Sequence, residues 1–155
     1  MNTVFLGLGS NIGDREKNLT QAIEEIKQLS ETRVQKTSNF LNTKAVTLTS
    51  EDQQADYLNG VLEITTSLTP AVLLQYLKNI EAEMGRDMNA RRWGPRLIDI
   101  DILFYNDLIF SNEMLTIPHP HAHTRPFVLE PLAQIAPNFI HPVCKKTILE
   151  LLNSL

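Results

Sequence analysis

Cysteine occurs once in the 155 residues, as Cys144, so an internal disulfide is excluded and a reducing compartment suits the chain. No apolar run approaches the ~20 residues of a membrane-spanning helix. Met1-Asn2-Thr3-Val4-Phe5-Leu6-Gly7 lacks the basic flank of a secretory leader. These absences point to a soluble, cytoplasmic protein. Low-complexity tracts and internal repeats are also missing, which argues against disorder and against a solenoid. Positive charge is scarce: 14 Lys and Arg against 18 Asp and Glu leave a net −4. Such a surface repels nucleic acid, so a polyanion has to be met by a local concentration of basic residues. What remains is ordinary for a globular chain, and its length suits a single domain over residues 1–155.

Thr3 to Leu8 is apolar and β-branched and ends in Gly9-Ser10-Asn11, which predicts a buried strand followed by a turn. Asp14 then caps a helix whose stripe is Leu19, Ala22, Ile23, Ile26 and Leu29. A weaker strand is expected over Val34 to Leu41, a long polar loop over Asn42 to Ala55, and a strand over Tyr57 to Thr66. Thr69-Pro70 opens a second helix with Leu73, Leu77, Ile80 and Met84 on its apolar face, Lys78 and Glu81 on another, and Gly85 as its stop. Leu97 to Phe104 reads as a strand; Phe127 to Ile135 and Lys146 to Asn153 read as short helices. The order strand, helix, strand, strand, helix, strand predicts an α+β, ferredoxin-like antiparallel sheet with helices on one face.

The sharpest local signal is Leu97-Ile98-Asp99-Ile100-Asp101-Ile102-Leu103-Phe104. Alternation along a strand sends Ile98, Ile100, Ile102 and Phe104 one way and the two aspartates the other, ~7 Å apart. Paired carboxylates repel each other, and a hard divalent cation such as Mg²⁺ removes that conflict while also holding substrate phosphates. A solvated strand face, a nuclease-type site and a sugar-nucleotide metal site are all compatible with this motif taken alone.

Just upstream, Arg86, Arg91, Arg92 and Arg96 gather four of the seven arginines within eleven residues, around Trp93-Gly94-Pro95. Guanidinium groups present bidentate donors to phosphate oxygens at any working pH. Arginines beside paired carboxylates are what phosphoryl transfer requires, although a solvated basic loop has the same composition. Three of the four histidines fall in Pro118-His119-Pro120-His121-Ala122-His123. A zinc site there is disfavoured, because prolines break the strand geometry and no cysteine helps, so at least two read as surface residues. Gly7-Leu8-Gly9-Ser10-Asn11 lacks the lysine and hydroxyl residue of a P-loop, and a tight turn beside the active site is expected instead.

Taken together, these residues resemble the 6-hydroxymethyl-7,8-dihydropterin pyrophosphokinase family. The resemblance runs from Leu8-Gly9-Ser10-Asn11 through Asp56-Tyr57-Leu58-Asn59 and peaks over Arg92 to Asp101. It ends with Thr116-Ile117-Pro118-His119 and Arg125-Pro126-Phe127-Val128-Leu129-Glu130-Pro131-Leu132. It implies transfer of pyrophosphate from ATP to the pterin hydroxymethyl group, release of AMP, and a role in folate biosynthesis.

By the same resemblance, Asp99 and Asp101 hold two Mg²⁺ ions on the ATP phosphates. Arg92 and His119 join them as catalytic residues. Lys78, Glu81, Arg86, Arg96, Ile102, Thr116 and Arg125 complete the ATP site with Arg92 and His119. Trp93 and Phe127 sandwich the pterin; Asn11, Thr43, Asn59 and the backbone near Ala45 and Val46 meet its polar edge, with Tyr57 beneath. Mobile loops closing over ATP are implied too; a monomer suffices for a single-domain site, and charge and hydropathy lead to no nucleic-acid or membrane partner. Lys44, Lys78 and Met88 depart from the usual pattern of the family. A metal-dependent phosphoesterase and a nucleotide-binding module without catalysis are the alternatives. The first lacks a second basic stripe to guide its substrate, and the second leaves the paired aspartates unexplained.

Overall fold

The computed structural model describes residues 1–43, 56–85 and 97–155. The first apolar run forms β1 (Asn2–Ser10), longer than expected because Gly9 stays in register with strands on both sides and Ser10 with the strand on one side. Asp14 caps α1 (Arg15–Lys27) by accepting from the Lys17 N–H, and Leu19, Ala22, Ile23 and Ile26 are its buried stripe.

The single strand expected over 34–41 is instead two pieces of one edge, β2 (Thr32–Thr37) and β3 (Leu41–Thr43). Both pair antiparallel with β4 (Tyr57–Thr66). The interruption has a packing cause. Gly60 of β4 leaves room for the Phe40 ring, 2.9 Å from where a Cβ would stand. Ser38 maintains the ladder across the gap: its N–H donates to the Val61 carbonyl and its Oγ accepts from the Val61 N–H.

Thr69 caps α2 (Pro70–Glu83), with Leu73, Leu77 and Ile80 buried, and Gly85 follows at φ +91°, where a Cβ is strained. Next come β5 (Asp99–Tyr105), a small hairpin of β6 (Phe110–Ser111) and β7 (Thr116–Ile117), then α3 (Pro126–Ile135) and α4 (Ile148–Asn153). A Thr147–Glu150 capping box starts α4 two residues later than the sequence pattern placed it.

The main sheet runs β2-β4-β1-β5 with antiparallel neighbours, which is the ferredoxin-like order. One face packs Val4, Leu6, Leu8, Leu62, Ile64, Ile100 and Ile102 against α1 and α2. The expectation of helices on one face only is corrected here. On the opposite face Phe5, Val61, Leu103 and Phe104 are apolar, and α3 and α4 cover them with Val128, Leu129, Leu132, Ile148 and Leu151. Each of these buried side chains contributes ~1.5–3 kcal/mol by leaving water.

Phe104 is a second correction. The β1–β5 register steps from Leu6↔Ile102 to Phe5↔Phe104, leaving Leu103 as the extra residue of a bulge. Ile98, Ile100 and Ile102 therefore face α1 and α2, while Phe104 joins the α3 and α4 side.

Candidate active site

Only part of that second face carries α3 and α4. Toward the C-terminal end of β1 the register lines up Asn59, Gly9 and Asp99 across three strands, and Val61, Gly7 and Asp101 in the next row. Residues opposite one another in a sheet share a face, so the middle strand contributes no side chain to this floor. It also has little room for one. A Cβ at Gly9 would lie 3.0 Å from Asn59 Oδ1 and 3.4 Å from the Tyr57 ring; one at Gly7 would lie 3.3 Å from Leu103. The glycines are thus strand residues that keep a floor flat, not the turn expected from sequence. Asn59 is buried and its Nδ2 donates to Thr43 Oγ1 at 2.7 Å. Asn11, just past β1, is fully buried.

Beside this floor a cavity of about 380 Å³ opens at the edge of β5. Asp99, Asp101 and Ile102 of β5 line it together with Lys78 and Glu81 of α2, Thr116 of β7, and His119. The helical spacing of Lys78 and Glu81 sets both toward β5. Glu81 is only 6% exposed, and its Oε2 accepts the Ile100 N–H at 2.8 Å. It therefore ties α2 to the backbone between the two aspartates as well as forming cavity wall.

His119 is anchored along the same strand by its own N–H, which donates to the Leu103 carbonyl at 2.9 Å. Its Nδ1 accepts from the His121 N–H at 3.2 Å, so the neutral ring carries its proton on Nε2. Burial first, then the charges of Arg125 and His121, lower this imidazole to about 4. At neutral pH it is a hydrogen-bond donor without charge. Arg125 stands before α3 with its guanidinium 5.6 Å from the centre of the half-buried Phe127 ring. Arg86, Arg92, Arg96, Trp93, Ala45 and Val46, with Lys44 and Met88, lie outside the described residues.

The arrangement sets paired carboxylates and a neutral imidazole around a cavity next to a flat polar-edged floor. Residues 5–137 match the family described as 7,8-dihydro-6-hydroxymethylpterin-pyrophosphokinase (HPPK). The chain belongs to the HPPK family. A 2-amino-4-hydroxy-6-hydroxymethyldihydropteridine pyrophosphokinase of Aquifex aeolicus is 43% identical over 97% of this chain and 90% of its own length. A protein of the same description from Haemophilus influenzae is 43% identical, over 92% and 86% of the two chains. Among solved structures, the HPPK-DHPS wild type of Plasmodium falciparum with pteroate has a TM-score of 0.75 at 16% identity, covering 99% of this chain and 44% of that one. At that identity the structural likeness speaks for the fold alone.

Two features of this HPPK-family chain were not read from sequence. Asn112, Glu113, Met114 and Leu115 of the β6–β7 hairpin line the cavity. Their turn is held by Asn112 Oδ1, which accepts the Met114 and Leu115 N–H groups, and Ser111-Asn112 was the available signal.

The second concerns the histidine run. A cysteine does approach it: His123, His141 and Cys144 bring potential ligand atoms within 4.8 Å of one another. The His141 Nδ1 lone pair already accepts the Val143 and Cys144 N–H groups, each at 3.1 Å. The proton of the neutral ring then sits on Nε2, and that ring has no lone pair left for a cation. Among the described residues no helix is long and apolar enough to cross a membrane.

Proposed function

We propose that this chain transfers the pyrophosphoryl group of ATP to the hydroxymethyl oxygen of 6-hydroxymethyl-7,8-dihydropterin, releasing AMP, as a step of folate biosynthesis. The observation that carries the reading is the convergence of Lys78, Glu81, Asp99, Asp101, Ile102, Thr116 and His119 on one cavity beside the glycine floor. Membership of the HPPK family supports it.

Asp99 and Asp101 fit a hard divalent cation, since both offer carboxylate oxygens from one strand face at the cavity. Mg²⁺ bound there, as two ions, would supply charge neutralisation on the phosphates and a template for their alignment. The remaining work falls to the chain itself. Ile102 and Thr116 flank the nucleotide, Lys78 and Glu81 form the α2 side, and His119 donates from Nε2 to a phosphate oxygen with Arg125 close behind. Arg86, Arg92 and Arg96 add guanidinium donors to the triphosphate. The pterin lies over Gly9, its polar edge read by Asn11, Thr43, Asn59 and the backbone at Ala45 and Val46. Tyr57 packs beneath it, and Trp93 and Phe127 stack on it.

With both substrates held, the hydroxymethyl oxygen bonds to the β-phosphorus and loses its proton to solvent. The bond from that phosphorus to the α–β bridging oxygen breaks, and the bridging oxygen leaves with AMP. Positioning and electrostatic stabilisation account for the catalysis.

Anion-exchange analysis of products tests this directly. With ATP, Mg²⁺ and the pterin all present, AMP and pterin pyrophosphate should form in equal amounts, and neither should form when any component is omitted. Asp99→Ala and Asp101→Ala should each lower turnover ~10²-fold or more while the protein stays folded, on the scale of losing a preorganised electrostatic group. ADP as the product would overturn the proposed site of attack, and near-normal turnover in both variants would overturn the metal assignment.

A further inference from the structure

Arg15 is the first residue of α1 and is half-buried, because its helix position, four residues before Leu19, continues the face that the apolar stripe turns toward the sheet. Its Nη1 donates two hydrogen bonds of 2.7 Å, one to Asn42 Oδ1 and one to the Asp56 carbonyl oxygen. Asn42 closes the triangle by donating from Nδ2 to Asp56 Oδ2 at 3.1 Å. One guanidinium thus joins three parts of the fold: the start of α1, the middle of β3, and the residue immediately before β4. Both of its acceptors here are neutral oxygens. The contact therefore fixes a backbone position rather than forming a simple surface ion pair, whose strength would be small and easily screened.

The element that most needs fixing is β3. It has three residues and pairs only as Leu41↔Asn59, Asn42↔Leu58 and Thr43↔Tyr57. Side chains alternate along it. Asn42 shares a face with Leu58, which packs into the core beneath α1, while Leu41 and Thr43 share the opposite face with Asn59 and Tyr57. A slip of one residue would turn Asn42 toward the floor and Thr43 toward the helix. The 2.7 Å hydrogen bond from Asn59 to Thr43, which orients both side chains at the floor, depends on that register.

We propose that Arg15 is a positioning residue for the pterin side of the site. It acts through Asn42 and Asp56 to hold β3 in the register that presents Thr43 to Asn59. It does not itself touch the substrate. The inference rests on the functional reading above, because Thr43 and Asn59 are pterin-facing only under that reading.

The test is steady-state kinetics on the full chain, varying each substrate in turn, for Arg15→Ala, Arg15→Lys, Asn42→Ala and the Arg15→Ala/Asn42→Ala double variant. Arg15→Ala should raise KM for the pterin about tenfold, the scale of losing one charge-assisted hydrogen bond. KM for ATP should change less than about twofold, because the ATP cavity lies at the other edge of the sheet. Arg15→Lys should recover part of the loss, since an ammonium can still reach one of the two oxygens. The double variant should be no worse than Arg15→Ala alone, because both substitutions open the same clasp.

An unchanged pterin KM in Arg15→Ala, with active wild-type protein, overturns the inference alone. So does a parallel rise in both KM values with a lowered thermal midpoint, which marks a general structural role. Wild-type protein that forms no AMP overturns the functional reading, and the inference falls with it.

Discussion

Gly9 shows how one missing side chain makes a surface. Its neighbours on either strand, Asn59 and Asp99, are polar, and between them only backbone faces outward. A methyl group there would meet Asn59 Oδ1 at 3.0 Å and the Tyr57 ring at 3.4 Å. Asn59 has little freedom to retreat, because its amide is held to Thr43 at 2.7 Å. Gly9→Ala should therefore destabilise the fold by ~1–3 kcal/mol, the usual cost of overpacking, and weaken pterin binding disproportionately. Thermal melts paired with pterin titrations would check this; wild-type pterin affinity in the variant would remove Gly9 from the floor. At this scale the sequence was legible where alternation alone decides placement, as with Asp99 and Asp101, which share one face of β5 at the cavity. It was illegible for Gly9, because a glycine at the end of an apolar run signals a turn until the two flanking strands fix its register. Arg15 was equally silent: a helix-opening arginine carries no mark of the two oxygens it will meet 27 and 41 residues away.

Elements with a strong period were readable, and those without one were not. The stripes of α1 and α2, their caps at Asp14 and Thr69, and the bounds of β4 follow from spacing and hydrogen-bond chemistry. The bulge at Leu103 inserts one residue into an unbroken apolar run, where no alternation records the insertion. Strands β6 and β7 have two residues each, too few for any period. The helices α3 and α4 were found, but their placement depends on which face of the sheet Phe5 and Val61 occupy.

Between elements, the tie from Glu81 to the Ile100 N–H matters most for chemistry, because Ile100 lies between the two aspartates. Glu81→Ala would leave that buried donor without the carboxylate, at a cost of about 1–3 kcal/mol. Glu81→Gln retains an acceptor at the same reach. Urea unfolding should rank the alanine variant clearly below the glutamine variant, and amide exchange at Ile100 should accelerate most in the alanine variant. Equal stability of the two would mean that the acceptor at Ile100 contributes nothing measurable.

Over the whole molecule, a chain of net charge −4 places four of its seven arginines in sequence just upstream of the paired aspartates, a local bias that the total charge conceals. Burial beside the cavity also leaves its mark on pH-dependent stability through His119. Burial, then Arg125 and His121, lower it to about 4 in the folded protein, whereas an unfolded histidine titrates near ~6.5. A base whose folded value is depressed binds its proton more readily in the unfolded chain. Stability associated with neutral His119 is thus fully present above about 6.5 and is lost as pH falls from there through about 4. His141 is displaced in the same direction, by burial and then by His123, so acid sensitivity survives in part when His119 is removed. Nucleotide-free His119→Gln should consequently show a shallower fall of the thermal midpoint than wild type between pH 6.5 and 4, with parallel behaviour above pH 7. Superimposable slopes through the acid range would mean that His119 takes up its proton in the folded state at no cost. The cavity would then be open enough to water to hydrate an imidazolium, and the neutral donor assigned to His119 would have to be abandoned.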